Sequence, residues 1–207
     1  MSDPPRLILA SGSPRRADVL RQLGLPFEVE ISAIDETLLP AEGPHQAAER
    51  LARAKVSVCT RRGALTLGFD TLVAHDGEIL GKPTDAGHAV EMVGRLAGDE
   101  HTVYSGIAVA DTKRIESAVE TTRVRFRQLE PRECEAYAAT GEPLDKAGAY
   151  GIQGVGASLV EWIEGDFFNV MGFPMQRFLQ LIGRFGWSYG FGELVPRAMG
   201  NDSDGER

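Results

Sequence analysis

Apolar and polar residues follow two periods along this chain, and these periods predict strands alternating with helices. Period-two or continuous apolar runs bounded by turn residues predict strands, whereas apolar positions three and four apart predict amphipathic helices. The predicted strands cover residues 6–10, 27–31, 65–74, 78–80, 102–110, 117–129 and 157–163. The predicted helices cover residues 14–24, 44–59, 85–96, 131–139 and 175–185. This order predicts an α/β fold with a mixed sheet and a cleft between two lobes.

The first strand ends in a polar turn, Ser11-Gly12-Ser13-Pro14-Arg15-Arg16, that opens the first helix. Ser13 is a suitable N-cap, and Pro14 fits the first helical position, where its missing N–H has no helical partner. The free N–H groups of the first turn, with Arg15 and Arg16 beside them, favour an anion such as phosphate. The alternative is an ordinary helix start whose arginines face water.

Asp70 is the most unusual residue of the predicted strands, because it interrupts a nearly continuous apolar run. A carboxylate in a buried strand is costly unless it is paired, hydrogen-bonded or bound to a metal. One interpretation is a general base or Mg²⁺ ligand at the cleft, where Gly68 leaves room for a ligand. The alternative is a strand-end aspartate that caps a turn.

Two lysines and a glycine-rich stretch add further candidates. Lys55 lies within a helix of small and apolar residues, and Lys82 follows the predicted hairpin. Each alone is ordinarily solvent-facing, but together they could surround one triphosphate. In residues 141–156, Tyr150 could stack or pack, and Gln153 could complement the edge of uracil or thymine. The alternative for this stretch is a long glycine-rich connection.

Composition narrows the class of protein. The 207 residues are 43% hydrophobic and 25% charged, as in globular proteins, and the formal net charge is −8. Such a charge argues against nucleic acid as a partner, and acidic groups beside a phosphate site imply a divalent cation. The chain has neither an apolar stretch of about 20 residues nor a signal-peptide pattern, so we expect a cytoplasmic protein without a membrane partner.

The remaining sequence features predict little chemistry. The two cysteines, Cys59 and Cys134, have no metal-ligand spacing and are interpreted as reduced. The four histidines show no spacing typical of zinc sites or catalytic dyads, and no P-loop motif is present. We expect a single domain with two lobes over residues 1–190 and a partly flexible tail over residues 191–207.

Five motifs in order resemble the Maf family of nucleoside triphosphate pyrophosphatases. They are Ser11-Gly12-Ser13-Pro14-Arg15-Arg16, Asp70-Thr71, Gly81-Lys82-Pro83, the run from Asp145 to Gly154 (DKAGAYGIQG), and Asn169-Val170-Met171-Gly172-Phe173-Pro174. The resemblance implies a mixed, curved sheet with two lobes about a cleft, similar to inosine triphosphate pyrophosphatases. It also implies cleavage of a nucleoside triphosphate to the monophosphate and pyrophosphate with Mg²⁺ or Mn²⁺, and a homodimer.

Carried over by position, the resemblance makes Asp70 the proton acceptor and links Arg15, Thr71 and Gln153 to base selection. All three match the branch that acts on dTTP and UTP. The branch that prefers N7-methylated GTP has tyrosine, glutamine and glutamate at these positions. Phe69 departs from the family pattern, which has a small residue there, and could narrow the cleft.

These observations combine into a hypothesis of metal-assisted attack of water on a substrate phosphorus. Asp70 accepts the proton, and the metal is bound by Asp70, with Glu36 or Asp35 nearby. The triphosphate is held by a set of phosphate-binding residues: Ser11, Ser13, Arg15, Arg16, Lys55 and Lys82. The alternatives are the methylated-GTP branch and a nucleotide-binding regulator of cell division without turnover.

Overall fold

The protein is organised around a mixed β-sheet, as the sequence predicts. The structure is a computed structural model that describes residues 4–197. In these residues the main sheet has the strand order β2-β1-β3-β5-β6-β7, with β4 paired to β3. Strand β1 is parallel to β2 and β3, and the other pairs are antiparallel. The strands are β1 (Arg6–Ala10), β2 (Phe27–Val29), β3 (Ala64–His75), β4 (Glu78–Leu80), β5 (Glu100–Ala110), β6 (Ile115–Phe126) and β7 (Val160–Glu164).

Helices follow the predicted positions closely. They are α1 (Pro14–Gln22), α2 (Pro44–Cys59), α3 (Ala86–Leu96), α4 (Pro131–Ala139), α5 (Phe167–Val170) and α6 (Met175–Arg184). The short helix α5 is absent from the sequence prediction, and so is the hairpin of β8 (Trp187–Tyr189) and β9 (Leu194–Pro196). The predicted tail begins inside this hairpin, and its residues 198–207 lie outside the described residues. The domain boundary at residue 190 stays a prediction.

Apolar side chains are exposed at the end of β2 and on α2. Strand β2 ends at Val29, so the prediction that it continues to residue 31 is wrong, and the side chains of Val29 and Ile31 are 52% and 72% exposed. The reason is that β2 lies at the sheet edge, where alternation does not ensure a covering layer. In α2 the buried side chains include Lys55 and Val56, whereas the side chain of Val58 is 51% exposed. The small residues of this helix fit more than one choice of face.

Two glycines allow α2 to lie directly on the sheet. A Cβ atom at Gly68 of β3 would lie 2.6 Å from the carbonyl oxygen of Ala52, and one at Gly106 of β5 would overlap the backbone of Ala48. Gly68 therefore makes room for a helix, and the prediction that it makes room for a ligand is wrong. This close approach also brings Lys55 to β3.

Two apolar clusters flank the middle of the sheet. The first joins β1, α1 and α6 around Leu9, Leu20, Phe69, Phe173 and Phe178. The second joins the end of β3 to α3 and α4, with the members Val73, Leu80, Met92, Val93, Leu96, Phe126, Leu159 and others. Polar residues between these two clusters line a cavity.

The second core anchors the glycine-rich stretch, which contains three short 3-10 helices, Glu142–Asp145, Ala147–Ala149 and Gly154–Leu159. Tyr150 is 5% exposed, and its hydroxyl lies 2.7 Å from Nε2 of His101 on β5. Both rings also pack edge-on against Phe126. Burial raises the pKa of Tyr150 and lowers the pKa of His101 to about 3, so His101 is neutral near pH 7. Tyr150 therefore packs, which resolves its predicted alternatives.

The two cysteines agree with the sequence prediction. Cys59 and Cys134 are buried free thiols, and burial raises the pKa of each. From residue 4 to residue 197, no helix combines the length and apolar character that crossing a membrane requires.

The close approach of α2 predicts the cost of adding one methyl group to β5. We expect Gly106→Ala to lower the free energy of unfolding by about 3 kcal/mol, because the backbone of α2 must shift. Gly94→Ala is the control, since a Cβ there meets nothing within 4 Å and α3 gains up to about 1 kcal/mol of helix propensity. Urea unfolding measures both variants, and equal stabilities would contradict the proposed packing.

His101 predicts a pH dependence of stability. In the unfolded chain its pKa is near 6.5, whereas the folded value is about 3, so only the unfolded state takes up a proton between these values. Stability is therefore lost as the pH falls through this window. We expect His101 to account for about 2 kcal/mol of loss between pH 7 and pH 5. His101→Gln should lack this part of the slope in urea unfolding, and identical slopes would refute the assignment.

Candidate active site

The cavity between the two cores has a volume of about 850 Å³. One wall is the turn at residues 11–16, the floor includes Asp70 and Thr71 of β3, and the opposite wall is formed by residues 145–153. The structure brings all ten predicted site residues to this lining: Ser11, Ser13, Arg15, Arg16, Glu36, Lys55, Asp70, Thr71, Lys82 and Gln153. Asp35, the alternative to Glu36, is not in the lining, and its carboxylate instead accepts hydrogen bonds from the backbone and hydroxyl of Thr37.

The turn before α1 differs from the prediction in one detail. Ser13 occupies the N-cap position and Pro14 follows it, but within the described residues the Ser13 side chain makes no capping hydrogen bond. Instead, Oγ of Ser11 accepts a hydrogen bond of 3.2 Å from the backbone N–H of Ser13. The Ser13 hydroxyl therefore lines the cavity without being used by the helix.

Arg16 is held in one orientation by three acceptors. Its Nε donates to the carbonyl of Gly172 at 2.9 Å, one terminal nitrogen donates to Ser11 Oγ at 2.9 Å, and the other donates to Thr71 Oγ1 at 3.1 Å. The guanidinium carries five N–H donors, so two of them remain available to a ligand. Burial lowers the pKa of Arg16 to about 10, partly offset by Asp70, so the group stays charged at neutral pH.

Phe69 supports this arginine from below and does not narrow the cleft. Its side chain is fully buried, its ring lies 5.5 Å from the Arg16 guanidinium carbon, and its ring centroid lies 4.7 Å from that of Phe173. The departure from the family pattern therefore affects the layer beneath the cavity.

Asp70 is paired with Lys55. Its carboxylate Oδ1 lies 2.6 Å from the Lys55 ammonium, and both side chains are 9% exposed. Asp70 stands within the 12-residue strand β3, so it is not the strand-end cap that we considered. Lys55 is likewise not solvent-facing, because α2 lays it across the sheet. The carboxylate of Asp70 lies in the cavity floor, and its second oxygen, Oδ2, is not in contact with the lysine.

Glu36 contacts the same ammonium. Its Oε1 lies 2.8 Å from Lys55 Nζ. Burial raises the pKa of Glu36, but the hydrogen bond and charge of Lys55, with weaker help from Lys82 and Arg16, outweigh it, so the net pKa lies below its usual range. The carboxylates of Glu36 and Asp70 therefore both contact the ammonium group of Lys55, and Lys82 and Arg16 lie nearby.

This donor set fits a divalent cation. Carboxylate oxygens are the protein ligands that Mg²⁺ and Mn²⁺ prefer, and Asp70 and Glu36 each have a second oxygen besides the one on Lys55. In residues 4–197 another group of possible ligands, His75, Asp76 and Asp99, has its atoms within 4.8 Å of one another. That group lies at the far end of β3 and does not line the cavity.

An ion pair connects the two walls. Arg15 donates to the carboxylate of Asp145 at 3.0 Å, and Lys146 donates to the same carboxylate at 2.7 Å. Burial raises the pKa of Asp145, but Lys146 and Arg15 outweigh it and leave the pKa low. Asp145 was not predicted as a site residue, although its motif was noted. The pair partly neutralises Arg15.

Sequence reasoning also missed a buried polar network under Thr71. The hydroxyls of Thr71 and Ser105 lie 2.9 Å apart, and Ser105 donates to the backbone carbonyl of Asn169 at 2.9 Å. The Asn169 side chain donates to the carbonyl of Val103 and to Thr122. Ser105 is a polar residue within an apolar strand, the same signal that identified Asp70.

Comparisons with known proteins agree with these features. Residues 6–185 match the family model described as Maf-like protein. The dTTP/UTP pyrophosphatase of Symbiobacterium thermophilum is 47% identical over 184 residues, covering 88% of this chain and 95% of that protein. The dTTP/UTP pyrophosphatase of Moorella thermoacetica is 49% identical over 185 residues, covering 87% and 95%. The solved Staphylococcus aureus Ham1 protein has a TM-score of 0.48 and 10% identity, covering 87% of this chain and 97% of that one.

The Lys55–Asp70 pair predicts a stability effect that is independent of catalysis. We expect Lys55→Met to lower the free energy of unfolding by about 3 kcal/mol, because Asp70 is left as a buried unpaired charge. Adding Asp70→Asn should recover part of this loss. Arg53→Met, an exposed position on the same helix, is the control and should change stability by less than about 0.5 kcal/mol. Urea unfolding measures all three, and equal effects at Lys55 and Arg53 would count against a buried pair.

Proposed function

This chain belongs to the Maf family, and from that premise we propose that it hydrolyses dTTP and UTP to the monophosphate and pyrophosphate. The observation that carries the proposal is the single cavity that unites the buried Lys55–Asp70 pair with two arginines, Lys82 and Gln153. Relatives that are 47% and 49% identical are dTTP/UTP pyrophosphatases. The substrate class of the proposal is therefore a pyrimidine nucleoside triphosphate.

The triphosphate lies against the wall at residues 11–16. Arg16 offers two N–H donors from a fixed orientation, and Arg15, Lys55 and Lys82 add positive charge, while the hydroxyls of Ser11 and Ser13 face the same space. Fixed donors of this kind stabilise the charge that develops on phosphate oxygens without needing to reorganise.

Asp70 accepts the proton of the attacking water. Lys55 holds Oδ1, so the carboxylate cannot rotate freely, and Oδ2 has two lone pairs, one to take the proton and one to face a metal ion. The carboxylates of Asp70 and Glu36 would hold Mg²⁺ or Mn²⁺, whose charge offsets that of the triphosphate. The residues therefore divide between binding the anion and removing a proton.

The base lies towards residues 145–153. Gln153 lines this end of the cavity, and its amide can both donate and accept, which complements the N3–H and O4 edge of uracil or thymine. Arg15 and Thr71 complete the set that the family resemblance links to base selection. A glutamate in place of Gln153 would favour the donor edge of a guanine instead.

Two further proposals concern location and assembly, and the second rests on the family resemblance. The protein acts in the cytoplasm, and it forms a homodimer. Exposed apolar side chains, among them Val29 on the edge strand and Leu39, support self-association, because such groups favour burial.

A pyrophosphate-release assay with several nucleotides, and with the variant Asp70→Asn, tests the function. Wild-type protein with Mg²⁺ should release pyrophosphate from UTP and dTTP faster than from GTP or 7-methyl-GTP. Asp70→Asn should lower kcat by about 10²–10⁴-fold, since the proton acceptor is lost. Asp35→Asn is the matched control, because this neighbouring carboxylate lies outside the cavity lining.

Three outcomes would contradict the proposal. Preference for 7-methyl-GTP would assign the chain to the other branch. Binding without release from any nucleotide would indicate a regulator. Near-normal turnover by Asp70→Asn would remove Asp70 from its proposed role.

A further inference from the structure

The hydroxyl of Thr71 belongs to a chain of hydrogen bonds in which the donor of each bond can be deduced. A threonine or serine hydroxyl has one hydrogen to donate and two lone pairs to accept. Ser105 Oγ donates its hydrogen to the carbonyl oxygen of Asn169 at 2.9 Å, because a carbonyl can only accept. In the 2.9 Å contact between Thr71 and Ser105, the hydrogen must therefore come from Thr71.

Arg16 fixes the other side of Thr71. A terminal nitrogen of Arg16 donates to Thr71 Oγ1 at 3.1 Å, and a guanidinium cannot accept. The hydrogen bonds therefore run in one direction, from Arg16 to Thr71, then to Ser105, and on to Asn169. Thr71 has used its hydrogen and one lone pair, so one lone pair remains.

The far end of this chain is buried in the protein interior. Ser105 and Asn169 are both fully buried, and Ser105 lies opposite Thr71 in the antiparallel register of β3 and β5. The side-chain amide of Asn169 donates to the carbonyl of Val103, two positions before Ser105 on β5. Ser105 thus has little freedom to reverse its hydrogen bond, whereas Thr71 is partly exposed and lines the cavity.

From this geometry we infer that Ser105 is a positioning residue that makes Thr71 an acceptor towards the substrate. The substrate group facing Thr71 is then a hydrogen-bond donor, an N–H or an O–H. The inference rests on the proposed function, whose substrates dTTP and UTP share two such donors: the 3′ hydroxyl, and the base N3–H, which Thr71 would then share with Gln153. Cytosine carries an unprotonated N3 and would place an acceptor against an acceptor.

Ser105→Ala tests this role. In the variant the hydrogen of Thr71 is released, so Thr71 can rotate and donate. We measure affinities for UTP, CTP and 3′-deoxy-UTP by calorimetry without divalent metal. If the base is the donor, the UTP to CTP affinity ratio should fall about three- to tenfold, the effect of one neutral hydrogen bond. If the sugar is the donor, the UTP to 3′-deoxy-UTP ratio should fall instead.

Two controls separate positioning from a general effect on folding. Thr122→Ala removes another fully buried hydroxyl that contacts Asn169 but lies outside the chain to Thr71, so it should leave both ratios unchanged. In a Thr71→Val background, Ser105→Ala should cause no further change in either ratio. If Ser105→Ala does not fold, Ser105→Cys keeps the shape with a weaker donor and should give a smaller shift.

The inference is overturned if both ratios stay unchanged in Ser105→Ala, if Thr122→Ala shifts them equally, or if the shift persists without the Thr71 hydroxyl. Pyrophosphate release by the wild-type protein is assayed separately. Release with unchanged ratios would refute the role of Ser105 alone. Shifted ratios without release would support that role and refute the proposed hydrolysis.

Discussion

The buried ion pair between Lys55 and Asp70 requires α2 to pack closely against the sheet, and the cavity floor depends on it. A lysine and an aspartate that are both largely withdrawn from water need each other, because either alone would be a buried unpaired charge. For the pair to form, α2 must lie almost in backbone contact with β3 and β5. Gly68 and Gly106 permit that approach. The ion pair in the cavity floor therefore depends on the position of α2, and that position depends on the two glycines.

The cations of the cavity differ in how firmly they are held. Arg16 has three of its donors bound by the protein, so its remaining donors point in fixed directions. Arg15 is paired across the cavity with Asp145, an exposed carboxylate that a ligand could displace. Lys82 is exposed in the lining. A rigid group suits orientation of a phosphate, whereas looser groups suit attraction of a charged substrate.

Sequence patterns predicted best those features that depend on the residues of a single helix, strand or turn. The bounds of α2 and the hairpin between β3 and β4 follow from local periodicity and turn residues. The ordered motifs identified the family, which the match over residues 6–185 confirms. Sequence patterns failed for features that depend on how two elements pack against each other. Gly68 makes room for α2 and not for a ligand, β2 ends before residue 31, and Ser105 meets Thr71 only through the register of β3 and β5.

By itself, the sequence determined the succession of strands and helices, the family and the set of polar residues capable of the chemistry, because these depend on local spacing and residue type. Only the tertiary structure decided which of them meet. Lys55 and Asp70 are 15 positions apart and Arg15 and Asp145 are 130 apart, and their contacts depend on how α2 and the stretch at 141–156 pack against the sheet. The direction of the hydrogen bonds through Thr71 and Ser105 depends in the same way on strand register and on the distant carbonyl of Asn169. Packing fixes such contacts because hydrogen bonds and buried charges require partners within about 3 Å, a condition that linear spacing does not encode.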